Sequence, residues 1–178
     1  LGAAATPRMV SGDEPIYEIA GVDLDAIHHA SSRRADIAGT LERLRQGGEA
    51  RIGVAHNPPW SIAEGGRVGG IEPRLAAAWA RSVGGRPRLI AGPETELVER
   101  LRRGEIDVLV AGLEKDTPHA KALAPTQVYL KTATASDAPG KTAGHVMAVR
   151  QGESATLHAL DRHLLKLDRG ALERELAR

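Results

Sequence analysis

The segment between residues 51 and 111 alternates short strand-like runs with longer helical patterns. The strand-like runs are Arg51–Ala55, Arg88–Ala91 and Ile106–Ala111, and the helical patterns cover Glu72–Val83 and Glu94–Arg103. The third run is apolar almost throughout, which is typical of a strand buried on both faces. Three strands joined by two helices within about sixty residues predict a βαβαβ unit with right-handed crossovers. We therefore expect an α/β fold with a mostly parallel sheet flanked by helices.

The residues before this unit predict an N-terminal helical extension. Residues 1–15 are small, polar and interrupted by Pro and Gly, which is typical of a flexible lead-in. Short helical patterns follow at Asp23–His29 and Asp36–Arg45. We expect a lead-in and helical extension over residues 1–48 and a single α/β domain over residues 49–178.

The pattern is looser after the third strand. Val128–Thr134 predicts a strand, and His145–Val149 predicts another that runs against the parallel ones. A helical pattern then begins at Ser154 or Glu153 and keeps its leucines on one face to about Leu167. These elements would complete the same α/β layer.

Composition excludes several classes of function. Lys and Arg total 24 against 23 Asp and Glu, so a net charge of +1 provides no electrostatic footprint for nucleic acid. The chain has two Trp, two Tyr and no Phe, too few for a stacking platform that binds single strands. It has no cysteine, which excludes disulfides, thiolate metal sites and a Cys nucleophile. Its apolar runs are also too short to span a bilayer.

Motifs that carry catalysis or cofactor chemistry are weak. Gly140-Lys141-Thr142 resembles the end of a phosphate-binding P-loop, but Ala135 stands where that motif needs its first glycine. The glycines of residues 65–70 are not spaced as GxGxxG, so they predict a mobile turn. No serine lies in a nucleophile elbow. We expect no catalytic residues, no cofactor and no enzymatic activity.

A metal site is the less favoured interpretation of the histidines. His56 follows the first strand and His119 follows the third, so both could reach one edge of the sheet near Glu114 and Asp116. No compact His-x-x-x-His pair supports them. We therefore expect no metal.

The loops at the carboxyl ends of the strands predict the binding site. In open α/β sheets ligands bind beyond these ends, and a tryptophan beside a loop rich in backbone N–H groups is typical of a small-molecule shelf. Trp60 could instead only cover the end of the sheet. The candidate ligand-binding residues are Asn57, Trp60, Gly112, Leu113, Glu114, Lys115 and His119.

Several segments, in order, resemble a known family. Gly39–Val54, Asn57–Trp60 (NPPW) and Gly69–Leu75 (GGIEPRL) look like the start of a type 2 periplasmic solute-binding protein of the amino-acid-binding family. Gly104–Gly112 (GEIDVLVAG) is similar to its third strand and ligand loop, and Gly144–Leu164 to its C-terminal return segment. The resemblance covers about residues 39–130 and 141–167. It implies the lobe of a periplasmic binding protein as the fold.

Two departures from the family limit what the resemblance implies. Its members build a complete second lobe between the outgoing and returning segments, whereas only the nine residues Ser136–Gly144 separate them here. We therefore expect a single lobe. The family's hydroxyl and arginine that bind an amino-acid carboxylate correspond to Glu114 and His119, or to Ala120 in a second alignment of the arginine. Neither His nor Ala replaces the guanidinium fork, so a cationic or neutral solute is favoured.

The resemblance implies a non-catalytic, extracytoplasmic domain that binds a small polar solute, amino-acid-like or cationic, for a transporter or sensor. The alternative is a regulatory or structural module that has lost ligand binding and docks on a membrane transporter. An enzyme is a third class, since a few members of the superfamily are lyases, but the missing lobe counts against it. We expect a periplasmic location, with any membrane anchor outside these residues.

The missing lobe also predicts a homodimer. It leaves a face without intramolecular cover, which includes Trp60, Pro58-Pro59 and the segment Val128–Leu130. Exposed apolar patches of this kind generally mark an interface.

Overall fold

The computed structural model of the chain describes residues 7–8, 16–17, 35–134 and 140–178. The chain divides into two units, Leu1–Arg34 and Ala35–Arg178. In the first unit, strands β1 (Pro7–Arg8) and β2 (Ile16–Tyr17) pair antiparallel. The helix predicted at Asp23–His29 lies outside the described residues.

Helix α1 (Thr40–Arg45) is shorter than the predicted helix over Asp36–Arg45. Gly39 adopts a positive φ of 65°, and the Asp36 carboxylate accepts hydrogen bonds from the Leu41 N–H and from the Thr156 N–H, each at 2.9 Å. These contacts hold residues 36–39 outside the helix. The predicted domain boundary after residue 48 stays a prediction.

A mixed five-stranded sheet with the order β6–β3–β7–β11–β8 forms the centre of the second unit. Its strands are β3 (Glu49–Val54), β6 (Arg86–Ala91), β7 (Val108–Val110), β8 (Ala124–Pro125) and β11 (Ala148–Val149). Strand β3 pairs in parallel with β6 and β7, and β11 runs antiparallel to β7 and β8. The predicted α/β fold, with three parallel strands and one returning strand, is confirmed.

Four further helices flank this sheet, and the first three lie close to their predicted ranges. They are α2 (Ile71–Ser82), α3 (Glu94–Arg102), α4 (Ser154–Leu164) and α5 (Arg169–Leu176). Within the described ranges, no helix is both long enough and apolar enough to cross a membrane.

The alternation of side chains along β7 places a hydrophobic core on each face of the sheet. Val108 and Val110 belong to the cluster that contains Trp79 of α2, whereas Leu109 belongs to the cluster that contains Leu97 of α3. Because every one of these side chains is fully buried, each contributes about 1.5–3 kcal/mol of transfer free energy. The two cores fix the sheet between the helices and so position the loops at its edges.

A hairpin forms where the sequence predicts only a mobile turn. Residues 65–70 are not a mere mobile turn, because β4 (Ile62–Glu64) and β5 (Arg67–Gly69) pair antiparallel across Gly65 and Gly66. Both glycines adopt positive φ, as a tight hairpin turn requires.

The predicted strand over His145–Val149 is interrupted. β10 (Thr142–His145) pairs with β9 (Leu130–Ala133), and only β11 joins the central sheet. The hairpin β9–β10 connects the outgoing and returning segments directly, at the position where a two-lobed relative would insert its second lobe. The single-lobe prediction is confirmed.

Candidate functional site

The carboxyl edge of the parallel strands is tied together by the side chain of Asn57. This residue follows β3, and its Nδ2 donates a hydrogen bond of 2.8 Å to the carbonyl oxygen of Ala111, which follows β7. The Asn57 backbone N–H donates to the Ser61 carbonyl at 3.0 Å, so the loop folds back on itself. One amide side chain thus joins the first and third loops of the edge.

Gly112 lies against this amide. Its φ is +62°, and a Cβ built there would overlap Asn57 Nδ2 and lie 2.9 Å from Trp60 Cδ1. The third loop can approach the first this closely only because it has no side chain at this position. The structure therefore brings three of the predicted site residues together.

Trp60 is buried, with 8% of its surface exposed. Its ring stacks on His145 of β10, with centroids 3.8 Å apart and an interplanar angle of 29°. Tyr129 and Leu130 are buried as well. The expectation that this face lacks intramolecular cover is therefore wrong for these three residues. His145 of β10 covers Trp60, and Tyr129 and Leu130 belong to the core cluster that contains Trp79.

A buried carboxylate, which sequence reasoning missed, holds the third loop. Glu72 in the first turn of α2 has no solvent exposure, and its two oxygens accept hydrogen bonds from the Gly112 N–H at 2.7 Å and from the Tyr129 hydroxyl at 2.6 Å. Burial raises the pKa of Glu72 to about 7, and these two hydrogen bonds act in the opposite direction. Burial and the Glu72 charge raise the pKa of Tyr129.

The sequence contains a signal for this group. Glu72 precedes Leu75 by three residues and Trp79 by seven, the spacing that places residues on one helical face. A glutamate on the buried face of a helix needs partners, and here they come from segments 40 and 57 residues further along the chain.

His145, which stacks on Trp60, also contacts strand β9. Its Nε2 lies 2.8 Å from the Thr132 hydroxyl of β9. Burial lowers the pKa of His145, while the Glu114 carboxylate and the Gly112 backbone carbonyl favour its charged form. Since burial has the largest effect, the ring stacks on Trp60 as a neutral group near neutral pH.

An open cleft of about 440 Å³ lies beside this cluster, at the carboxyl ends of β3 and β6. Its lining residues are Ala55, His56, Ala63, Ala91, Gly92, Pro93 and Glu94. The lining includes no arginine. It provides instead small apolar side chains, one imidazole and one carboxylate, a set that suits a small solute with a cationic group better than a free carboxylate.

Two histidine–glutamate pairs flank the cleft. His56 Nε2 lies 3.6 Å from a Glu64 carboxylate oxygen, and His119 Nε2 lies 3.4 Å from a carboxylate oxygen of Glu94. His119 is therefore connected to the cleft through Glu94. The sequence placed His119 at this edge but provided no reason to connect it with the start of α3.

The remaining predicted residues are dispersed. Leu113 is buried in the core, and Glu114 and Lys115 are exposed where their backbone pairs with residues 144 and 145. His56 and Glu94, in contrast, line the cleft without having been among the predicted ligand-binding residues.

The metal interpretation finds no support in the described part of the chain, where no three His, Asp or Glu side chains are gathered closely enough to hold an ion.

Comparison with known proteins identifies relatives of this arrangement. A family model described as "Bacterial extracellular solute-binding proteins, family 3" matches residues 50–175. No curated protein matches the chain.

Solved structures share the fold. The arginine-bound form of domain 1 from TmArgBP, an arginine-binding protein of T. maritima, is 23% identical, with a TM-score of 0.58 over 71% of this chain and 98% of that one. An ancestral cationic amino acid solute-binding protein is 14% identical, with a TM-score of 0.62 over 77% and 97% of the two chains. EhuB in complex with hydroxyectoine is 17% identical, with a TM-score of 0.59 over 78% and 90%. At these identities the likeness is one of fold.

Proposed function

This chain belongs to the bacterial extracellular solute-binding proteins, family 3, and from that premise we propose that it binds a small polar solute through a cationic group. The site is the cleft at the carboxyl ends of β3 and β6. The observation that carries the proposal is the Glu94 carboxylate in the cleft lining, with no arginine beside it. A cationic group would form a charge-assisted hydrogen bond with Glu94, whereas an anionic group would be repelled.

The related folds support the same class of ligand. TmArgBP domain 1 is arginine-bound as a single domain, and the ancestral protein is described as a cationic amino acid binder. A single lobe of this fold therefore binds a cationic amino acid in at least one protein. EhuB binds hydroxyectoine, which widens the candidates to compatible solutes.

The test is ligand-induced stabilisation of the whole chain. We expect L-arginine or hydroxyectoine to raise the melting temperature and L-glutamate to leave it unchanged. A ligand at one hundred times its Kd adds about 2.7 kcal/mol to the free energy of unfolding. If a library of cationic, zwitterionic and anionic solutes produces no shift, the chain is instead an interaction module that has lost ligand binding.

A matched pair of variants locates the site. Glu94→Gln removes the cleft carboxylate, whereas Glu96→Gln removes an exposed carboxylate from the same helical turn outside the cleft lining. We expect Glu94→Gln to weaken binding about tenfold or more, as for a charge-assisted hydrogen bond, and Glu96→Gln to have little effect. Equal effects of the two substitutions would contradict this location.

The wider role follows from the family. We propose that the domain is non-catalytic, acts in the periplasm and delivers its solute to a membrane transporter or sensor. Co-purification of the membrane fraction with the chain as bait would test the partner. Turnover of a bound solute, detected by mass spectrometry, would contradict the non-catalytic role.

A homodimer remains part of the proposal. The cleft is open to solvent, and specific sites usually bury 70–90% of a ligand's surface. A second copy would supply the opposing wall. Sedimentation at micromolar concentration, with and without arginine, should show a dimer that the ligand stabilises, and a monomer under both conditions would refute it.

A further inference from the structure

A second polar cavity lies at the opposite edge of the sheet, far from the proposed solute site. Its volume is about 50 Å³, and its lining residues are Ala38, Thr40, Arg43, Arg51, Gly104, Ile106, Asp107, Arg150 and Glu153. Arg51 stands at the start of β3 and Asp107 directly precedes β7, so this is the amino edge of the parallel strands. The proposed solute does not use this edge.

Both carboxylates of the cavity are already occupied by protein donors. Asp107 accepts from Arg51 Nη2 at 2.9 Å, from Arg43 Nη2 at 2.6 Å and from the Arg51 backbone N–H at 2.9 Å. Glu153 accepts from the backbone N–H groups of Ala38 at 2.8 Å and Thr40 at 3.4 Å. Their negative charge is directed at these partners.

The arginines, in contrast, retain unused donors. Each guanidinium carries five N–H groups. Arg43 uses one on Asp107 and one on the Glu49 carbonyl, and Arg51 uses two on Asp107. Arg150 is half-buried, and its guanidinium has no hydrogen bond or ion pair with any of the described residues. Three guanidinium groups and two carboxylates leave one uncompensated positive charge, on a side chain that lines the cavity.

We infer that this cavity binds a small monovalent anion, of the size of chloride or a single carboxylate group. A single water molecule needs roughly 10–15 Å³ of cavity volume. This cavity, at about 50 Å³, therefore accommodates a chloride ion or an acetate carboxylate. The anion would accept hydrogen bonds from Arg150 and from the free donors of Arg43 or Arg51. It would connect the residue after β11 with α1 and the start of β3.

Chloride binding can be measured directly, because a bound chloride ion broadens the ³⁵Cl NMR line when the whole protein is added. Thermal unfolding of the same protein provides a second measurement. We expect broadening that saturates with chloride, and a melting temperature that sodium chloride raises more in the wild-type chain than in an Arg150→Gln variant. The two proteins experience nearly the same general salt screening, so the difference between them reports binding. A titration with acetate then distinguishes the two kinds of anion. Displacement of chloride by acetate indicates that a carboxylate shares the site, and no displacement indicates a halide site.

Two substitutions provide the decisive comparison. Arg150→Gln removes the unpaired charge, and Arg162→Gln removes an exposed arginine from α4 outside the cavity lining. We expect at least about tenfold weaker chloride binding for Arg150→Gln, as for the loss of a hydrogen bond to a charged group, and unchanged binding for Arg162→Gln. Arg150→Lys, which keeps the charge, should bind with intermediate affinity. Equal line broadening by Arg150→Gln and the wild-type chain would overturn the inference, as would an equal rise in melting temperature with sodium chloride in these two proteins.

Discussion

The Tyr129 hydroxyl lies 2.6 Å from a carboxylate oxygen of Glu72, and both side chains are buried. Tyr129 directly precedes β9, whereas Glu72 lies in the first turn of α2, so this hydrogen bond connects the hairpin with the helix. The second oxygen of Glu72 accepts from the Gly112 N–H. One carboxylate therefore positions the loop after β7, and its protonation state affects the stability of the whole edge.

Glu72→Gln should change the dependence of stability on pH. The pKa of Glu72 is raised from an ordinary 4.5 to about 7, so the native state retains a proton that the unfolded state loses. Its stabilising contribution is full below about pH 4.5 and is lost as pH rises through 7. The variant should match the wild type at pH 5 and exceed it at pH 9, by at most about 3 kcal/mol. Urea unfolding at both pH values measures the difference.

The wild type and Glu72→Gln must be compared at each pH, because the titration of His145 changes the stability in the opposite direction. Its pKa is lowered by burial, so its contribution is lost as pH falls below 6.5, and this occurs equally in both proteins. Glu96→Gln, which changes an exposed carboxylate, should leave the pH profile unaltered. A Glu72→Gln protein less stable than the wild type at pH 9 would show that the charge itself is required.

Gly112→Ala should destabilise the domain more than Gly65→Ala. The two glycines have nearly equal φ values, +62° and +60°. A Cβ at Gly112 would overlap Asn57, whereas a Cβ at Gly65 would have no atom within 4 Å. The backbone cost is therefore about 1 kcal/mol at both positions, with a further 1–3 kcal/mol expected from overlap at Gly112. Thermal unfolding of both variants measures the difference, and equal losses would mean that Asn57 moves aside freely.

Asp107→Asn should weaken the amino edge of the sheet. The variant loses a buried carboxylate that accepts from two arginines and one backbone N–H, and the expected cost is roughly 2–4 kcal/mol near neutral pH. The guanidinium groups lower the pKa of Asp107 despite its burial. Its contribution is therefore present above the ordinary 3.8 and is lost as pH falls through the lowered pKa. The gap between variant and wild type should close in acid, and a constant gap would exclude the ion pairs as its cause.

Acrylamide should quench the intrinsic fluorescence only weakly. The chain has two tryptophans, and Trp60 is 8% and Trp79 0% exposed. In a Trp79→Phe variant the remaining emission comes from Trp60, which β10 covers through His145. The urea-unfolded variant is the accessible reference. A quenching constant for the folded variant close to that reference would mean that the hairpin does not cover the ring.

The sequence by itself determined the three parallel strands, the helices that follow them and the single lobe. Periodicity along Ile71–Ser82 or Val108–Val110 is a local property, and it reports burial because a helix or strand repeats its faces at a fixed interval. The short link Ser136–Gly144 leaves no room for a second lobe between the outgoing and returning segments. The same reasoning placed Asn57, Trp60 and Gly112 at one edge, since parallel strands end together.

Only the tertiary structure decided what these residues contact. Trp60 was predicted to be uncovered, but a histidine 85 residues further along the chain stacks on it. Glu72 holds Gly112 and Tyr129, and Glu94 pairs with His119. These contacts join segments that are remote in the sequence, so no local pattern encodes them. They form because burial makes a polar group without a partner costly, and only packing brings the partner within reach.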